Sequence, residues 1–159
     1  VSLEKVAIFA DVQNIYYTTR QRFQRHFNYK GFWTQATANR EVINAFAYAI
    51  DRDDARQRGF QNTLTNIGFQ IKLKPYIQRK DGSAKGDWDV GITLDVVEQA
   101  TAVDTVILLS GDGDFDLLLQ KIQQLYGVTT EVYGVTFLTA SSLINSADRF
   151  FPITEDLLM

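Results

Sequence analysis

Hydrophobic positions along the chain alternate between short unbroken runs and longer stretches with helical spacing. Val6-Ala7-Ile8-Phe9-Ala10 is continuous and apolar up to Asp11, too short for a helix and suited to a buried strand. A helix is expected over residues 13–27, with Tyr16, Phe23 and Phe27 on one stripe, while residues 31–39 read equally as a short helix or a loop. Residues 42–50 (VINAFAYAI) are uncharged and apolar on both alternating faces, as in a strand covered on each side. A helix over 54–66, stopped by Gly68, precedes a strand over 69–78, where Phe69, Ile71 and Leu73 alternate with Gln70, Lys72 and Lys74 as at an exposed position in a sheet.

The segment RKDGSAKGD (79–87) is the most turn-like part of the chain. Beyond it, a helix is expected over 88–102 with Val90, Leu94 and Val97 at i, i+4 and i+7, then a buried strand over Thr105-Val106-Ile107-Leu108-Leu109. A helix over 114–126 with Leu117, Leu118, Ile122 and Leu125 as its stripe ends at Gly127. A strand over 128–135, a helix over 139–147 and a last strand over 150–153 complete the pattern. Strands alternating with helices predict one α/β domain over residues 1–159, built on a mainly parallel sheet.

Composition narrows the chemistry. No cysteine is present, which excludes disulfides, thiolate metal sites and a cysteine nucleophile, and the single His26 cannot supply a multi-histidine metal site. No apolar run approaches the ~20 residues of a membrane-spanning helix, so a cytoplasmic protein with no membrane partner is expected. Net charge is only −3, but residues 20–85 carry 13 of the 16 Lys and Arg and 5 of the 19 Asp and Glu. An anion-attracting region therefore adjoins an acidic remainder.

Two buried strands end in acids. Asp11 closes the first and is followed by Asn14, whereas Ser110, Asp112 and Asp114 follow the strand ending at Leu109. Open parallel sheets bind ligands beyond the carboxyl ends of their strands, so Asp11, Asp112 and Asp114 converge if these strands are neighbours. Asp87 and Asp89 open the next helix, directly after Lys85-Gly86. Clustered carboxylates repel one another unless a cation is present, and hard divalent ions such as Mg2+ or Mn2+ take oxygen ligands together with substrate phosphate. Gly111 and Gly113 would let backbone approach closely, and the whole suits metal-assisted phosphodiester hydrolysis. The bland counterpart is that Asp114 or Asp116 caps a helix, Asn14 satisfies local backbone and His26 packs on a helix.

Together, D-x-x-N (Asp11, Asn14), K-G-x-x-D-V (Lys85, Gly86, Asp89, Val90) with Asp95 downstream, and S-G-D-G-D-F (Ser110 to Phe115) resemble the NYN domain, in particular its LabA-like or DUF88 branch within the PIN-like nuclease superfamily. The late segment S-S-L-I-N-S-A-D-R-F (Ser141 to Phe150) is similar to that branch's closing motif. The resemblance implies a three-layer α/β/α PIN-like fold with strand order 3-2-1-4-5, a Mg2+ or Mn2+ pocket, and RNA as substrate. By position, Asp11, Asp89, Asp112 and Asp114 would bind metal or orient water, Asn14 and Ser110 would position metal, water or phosphate, and Lys85 would contact phosphate. Asp95, six positions beyond Asp89, falls on a different helical face.

Arg20, Arg79 and Lys80, with Arg22, Arg25, Arg56, Arg58, Lys72 and Lys74, are candidates for binding backbone phosphates. Among the aromatics Tyr16, Tyr17, Tyr29, Trp33 and Trp88, the two tryptophans are the better candidates for stacking unpaired bases. The expectation is a metal-dependent ribonuclease with a four-aspartate site. Its alternative is a non-catalytic RNA-binding or regulatory module that retains the acidic pocket. A Toprim-like site would want glutamate where Asp11 stands, and a haloacid-dehalogenase-like phosphatase would want D-x-D there, so both fit poorly. The sequence sets no oligomeric state.

Overall fold

In the computed structural model, which describes residues 2–75, 77, 78, 84, 85 and 87–159, the first apolar run forms β1 (Glu4–Asp11), buried from Val6 onward. The remaining strands are β2 (Arg40–Asp51), β3 (Gln70–Pro75), β4 (Ile77–Gln78), β5 (Ala84–Lys85), β6 (Thr105–Leu109), β7 (Thr129–Gly134) and β8 (Arg149–Pro152). Six of them make an all-parallel sheet in the order β3-β2-β1-β6-β7-β8, and β4 and β5 form a separate antiparallel pair. Setting that pair aside, the order is the expected 3-2-1-4-5 extended by a sixth strand.

Alternation along the central strands sends side chains to two cores. Val6, Ile8 and Ala10 of β1 with Ile107 and Leu109 of β6 pack under α1 (Val12–Phe23), α2 (Tyr29–Thr37) and α3 (Ala55–Ile67). Ala7 and Phe9 with Val106 and Leu108 pack under α4 (Asp89–Ala100), α5 (Asp116–Tyr126) and α6 (Ser141–Ser146). The result is the three-layer α/β/α fold. Strand order reverses at β1, whose neighbours β2 and β6 lead to opposite halves of the sheet.

Several local expectations need correction. α1 stops at Phe23, where Gln24 adopts a left-handed conformation (φ 58°) and its backbone N–H bonds to the Arg20 carbonyl. Phe27 thus lies beyond the helix, bridged to Leu158, and α1 buries Val12, Ile15 and Thr19 while Tyr16 is exposed. Residues 29–37 are helical, started by the Asn28 side chain accepting the Gly31 N–H. In α4 the buried positions are Ile92, Val96 and Ala100, whereas Val90 and Leu94 are 71% and 65% exposed. Two apolar stripes satisfy the same spacing on this helix, and only docking on the sheet selects between them. α5 likewise buries Leu118, Leu119 and Ile122 but exposes Leu117 and Leu125. Neither Asp114 nor Asp116 caps it, because a 3-10 turn over Gly113–Phe115 intervenes and the Asp112 side chain caps that turn.

At the end of the sheet away from the acids, Arg40 of β2 and Glu131 of β7 meet across the two intervening strands. Two parallel bonds of 2.8 and 2.7 Å join guanidinium to carboxylate. Glu4 accepts from Arg40 Nε at 3.1 Å, and Arg149 adds a second cation to Glu131. Glu131 is 1% exposed, so removing its charge leaves Arg40 poorly compensated. Glu131→Gln is expected to lower unfolding free energy by about 3 kcal/mol, read as a lower urea midpoint at unchanged slope.

Candidate metal centre

The parallel register of β1 and β6 pairs Ala10 with Leu109, which brings Asp11, the last residue of β1, level with Ser110 just past β6. Asp11 is largely buried. One of its oxygens accepts the Ser110 hydroxyl at 3.1 Å, and the other accepts the Asn14 N–H at 3.4 Å as the cap of α1. Asn14 returns across the crevice, its side-chain oxygen accepting the Gly111 N–H at 2.9 Å. The Ser110 oxygen also accepts the Asp112 N–H at 3.2 Å. D-x-x-N and S-G-D are therefore one hydrogen-bonded unit made from two strand endings.

The two glycines of the second motif answer a packing need. A Cβ at Gly111 would sit 2.9 Å from the Leu138 carbonyl oxygen, and one at Gly113 would sit 2.7 Å from Ala140 Cβ. The chain before α6 lies against this turn, with the Ala140 N–H bonded to the Gly111 carbonyl at 3.2 Å. The late serine-rich motif thus starts where the acidic turn is held.

Asp89 arrives from the first turn of α4. Trp88, just before it, donates its indole N–H to the Ala49 carbonyl at 2.9 Å and stacks obliquely on Tyr48. A Cβ at Gly91 would fall 2.6 Å from the Trp88 ring, so glycine makes room for the indole over the helix. Lys74 places its ammonium 4.5 Å from the Trp88 ring centroid and donates to the Asp87 carbonyl at 3.0 Å. These contacts fix the start of α4 against β2 and β3.

Carboxylate oxygens of Asp11, Asp89 and Asp112 all lie within 4.8 Å of one another. Asp114 is not part of that group: its carboxylate is exposed and its N–H donates to Asp112 at 2.9 Å. Asp95 is engaged elsewhere, accepting from Tyr48 at 2.7 Å and from Lys72 at 2.6 Å. Asp87, absent from the expected ligands, accepts the Asp89 N–H at 3.2 Å, and its charge bears on both Asp89 and Asp11. The D-x-D spacing at 87 and 89 was the available signal.

Burial is the main reason the Asp11 carboxyl is pushed up to about 6, against the lowering effect of its bonds from Asn14 and Ser110. Asp89 rises to about 7 through burial, a side-chain hydrogen bond with Asp112, and the charges of Asp112, Asp87 and Asp11. An all-oxygen donor set in which Asp11 and Asp89 resist ionising fits a hard divalent cation, which would relieve the repulsion among the carboxylates.

Of the expected nucleic-acid contacts, Arg79 and Lys80 lie outside the described residues, as does Gly86, and Lys85 is described only by its backbone in β5. Arg20 is exposed on α1. Trp33 packs on Phe69 and Gly68, and Tyr29 is buried, whereas Tyr16 and Tyr17 are open to solvent. His26 is exposed and stacks on Tyr16. Among the described residues no helix is long and apolar enough to cross a membrane.

The NYN domain family model matches residues 5–154. The chain belongs to the NYN domain family. This NYN domain is 27% identical over 165 residues to the Low amplitude and bright protein LabA of Synechococcus elongatus, covering 95% of this chain and 84% of LabA. It is 55% identical to VPA0982, a Vibrio parahaemolyticus protein of unknown function, whose crystal structure superposes with a TM-score of 0.95 over 99% of this chain and 97% of that one. Ribokinase from Giardia lamblia shares the layered α/β fold at 12% identity and a TM-score of 0.54, over 95% of this chain and 57% of the kinase.

The raised carboxyls set the pH response of this NYN domain. Metal ligation requires them ionised, so Mn2+ affinity measured by calorimetry should fall about tenfold from about pH 7 to about 6 and about 100-fold per unit below that, where both acids are protonated. Without metal the sign reverses. Asp11 and Asp89 bind protons more tightly folded than at the ordinary value of 3.8, so stability declines as pH rises from about 4 to about 7. In EDTA at pH 8, Asp89→Asn should accordingly raise Tm by about 2–4 °C.

Proposed function

We propose that this NYN domain is a Mg2+- or Mn2+-dependent ribonuclease that hydrolyses RNA phosphodiester bonds at the crevice between β1 and β6. The observation that carries this reading is the approach of Asp11, Asp89 and Asp112 oxygens to within 4.8 Å, from three elements far apart in sequence. The family matched by the chain and the oxygen-only donor set favour the same chemistry. Bound there, the cation supplies charge neutralisation at phosphate and a water of lowered pKa.

The chain's own residues have distinct parts in this reading. Asp11, Asp89 and Asp112 would hold the cation, and Ser110 and the Asn14 N–H fix the rotamer of Asp11 by occupying one lone pair on each of its oxygens. Asn14 ties the Asp112-bearing loop to α1 through Gly111, so the segments that carry Asp11 and Asp112 are joined directly. Asp114, exposed and joined to Asp112 through its N–H, would orient the attacking water in this reading. Lys85, Arg79, Lys80, Arg20 and Trp88 remain the proposed RNA contacts, and a cytoplasmic location is proposed with them.

Asp11→Asn and Asp112→Asn should each reduce Mn2+-dependent cleavage of a labelled single-stranded RNA by more than ~100-fold, exceeding the ~10–100-fold typical of outer-shell changes. EDTA should stop the reaction and excess Mn2+ restore it. Product formation indifferent to EDTA and to both substitutions would refute the reading. RNA binding without product over long incubation would indicate the non-catalytic module instead.

A further inference from the structure

A second concavity opens on the α1–α3 side of the sheet. Its volume is about 980 Å3, at the upper end of the ~300–1,000 Å3 range of small-molecule sites. Val12 and Gln13, the two residues directly after Asp11, form part of its wall, so it begins where the acidic crevice ends. Ile15, Tyr29 and Ala49 also line it and are buried.

The rim carries two kinds of group. Arg20 comes from α1, Arg52 from the connection after β2, and Arg56 from the first turn of α3. Among the described residues the single acid lining the cavity, Asp54, is already committed as the cap of α3, accepting the Gln57 N–H at 2.8 Å. Alongside the arginines stand exposed aromatic rings: Tyr16 and Tyr17 on α1 and Phe60 on α3. Tyr16 meets Tyr17 edge-on at 5.4 Å, stacks on His26 at 6.2 Å and accepts a bond from Arg20.

An apolar-floored trough with a cationic rim and solvent-facing rings matches a strand of alternating phosphates and unpaired bases. A duplex does not satisfy it, because its base faces are occupied by neighbours in the stack. A negatively charged strand also gains by leaving the acidic crevice toward the arginines, since the carboxylates repel it elsewhere. We infer that the α1–α3 trough is the binding path for the single-stranded polynucleotide flanking the scissile phosphate, with Arg20 and Arg56 on phosphates and Tyr17 and Phe60 stacking bases. This rests on the ribonuclease reading for its scissile phosphate, but the trough's affinity for a strand can be measured separately.

The test is fluorescence anisotropy of a labelled 12-nucleotide RNA carrying 4-thiouridine, bound to the Asp112→Asn protein so that the strand stays intact, followed by photocrosslinking and peptide mapping. Arg20→Ala/Arg56→Ala should weaken binding at least ~10-fold and shallow the salt dependence by about 1.4 log units per log unit, ~0.7 for each phosphate that an arginine no longer neutralises. Tyr17→Ala or Phe60→Ala should each weaken it about 5-fold or more. Crosslinks should fall on the peptides containing Tyr17 or Phe60. These side chains are exposed, and unchanged Tm values would show that the variants remain folded. A DNA strand of the same sequence separates RNA from DNA as the ligand, and groove-dependent binding of either supports the trough.

Unchanged affinity and salt slope in the arginine variant, with crosslinks elsewhere, would overturn the inference, as would equal affinity for duplex RNA. If Mn2+-dependent cleavage by the parent protein persists in that case, the ribonuclease reading stands without the trough. Groove-dependent binding with no metal-dependent product keeps the trough and removes the ribonuclease reading.

Discussion

The parallel pairing of β1 with β6 is the constraint on which the site depends. With Ala10 opposite Leu109, the chain leaves both strands at one level, and the acids that follow have no means of avoiding one another. Asp11, Asp89 and Asp112 are held close although two of them are made reluctant to ionise by burial and by each other's charge. Such an arrangement persists because cores on both faces of the sheet hold the strands in place. Local hydrogen bonds from Ser110 and Asn14 offset only part of the electrostatic cost. A divalent cation is the simplest agent that turns this repulsion into binding energy.

The third acid illustrates how much machinery a single carboxylate requires. Asp89 is positioned by a helix whose first turn is fastened through Trp88 to β2 and through Lys74 to β3. Six residues later, Asp95 ties the same helix to Tyr48 and Lys72. The motif that contains Lys85, Gly86, Asp89 and Asp95 therefore includes both a site acid and a brace that keeps the helix in register. Asp95 acts on the site through structure, by gripping the sheet rather than by joining the acids.

Part of the charge that is segregated along the sequence is also segregated in space, although Arg40 and Lys72 reach across to pair with Glu131 and Asp95. The acids near the switch point come from residues outside the basic stretch, and the arginines of the neighbouring trough come from within it. The boundary between the two fields runs along the first turn of α1. Two adjacent regions of opposite sign result: carboxylates suited to a cation on one side of that turn, and guanidinium groups suited to anions on the other.

The strand–helix alternation, the ends of β1 and β6, and the three acids that meet were legible because short-range rules govern them. Continuous apolar runs mark buried parallel strands, and the carboxyl ends of such strands are where acids gather. The buried face of α4 was not legible. Its two stripes, Val90-Leu94-Val97 and Ile92-Val96-Ala100, are equally apolar, and the choice follows from Trp88 needing the Ala49 carbonyl and Asp89 pointing into the crevice. Nor could spacing separate Asp112 from Asp114, two residues apart, because a 3-10 turn set by packing against Ala140 sends one inward and leaves the other in solvent. The sequence by itself determined which residue types stand at the ends of which strands. Only the tertiary structure decided which of them share a point in space, since that depends on the order of strands in the sheet and on how helices with two apolar faces dock upon it.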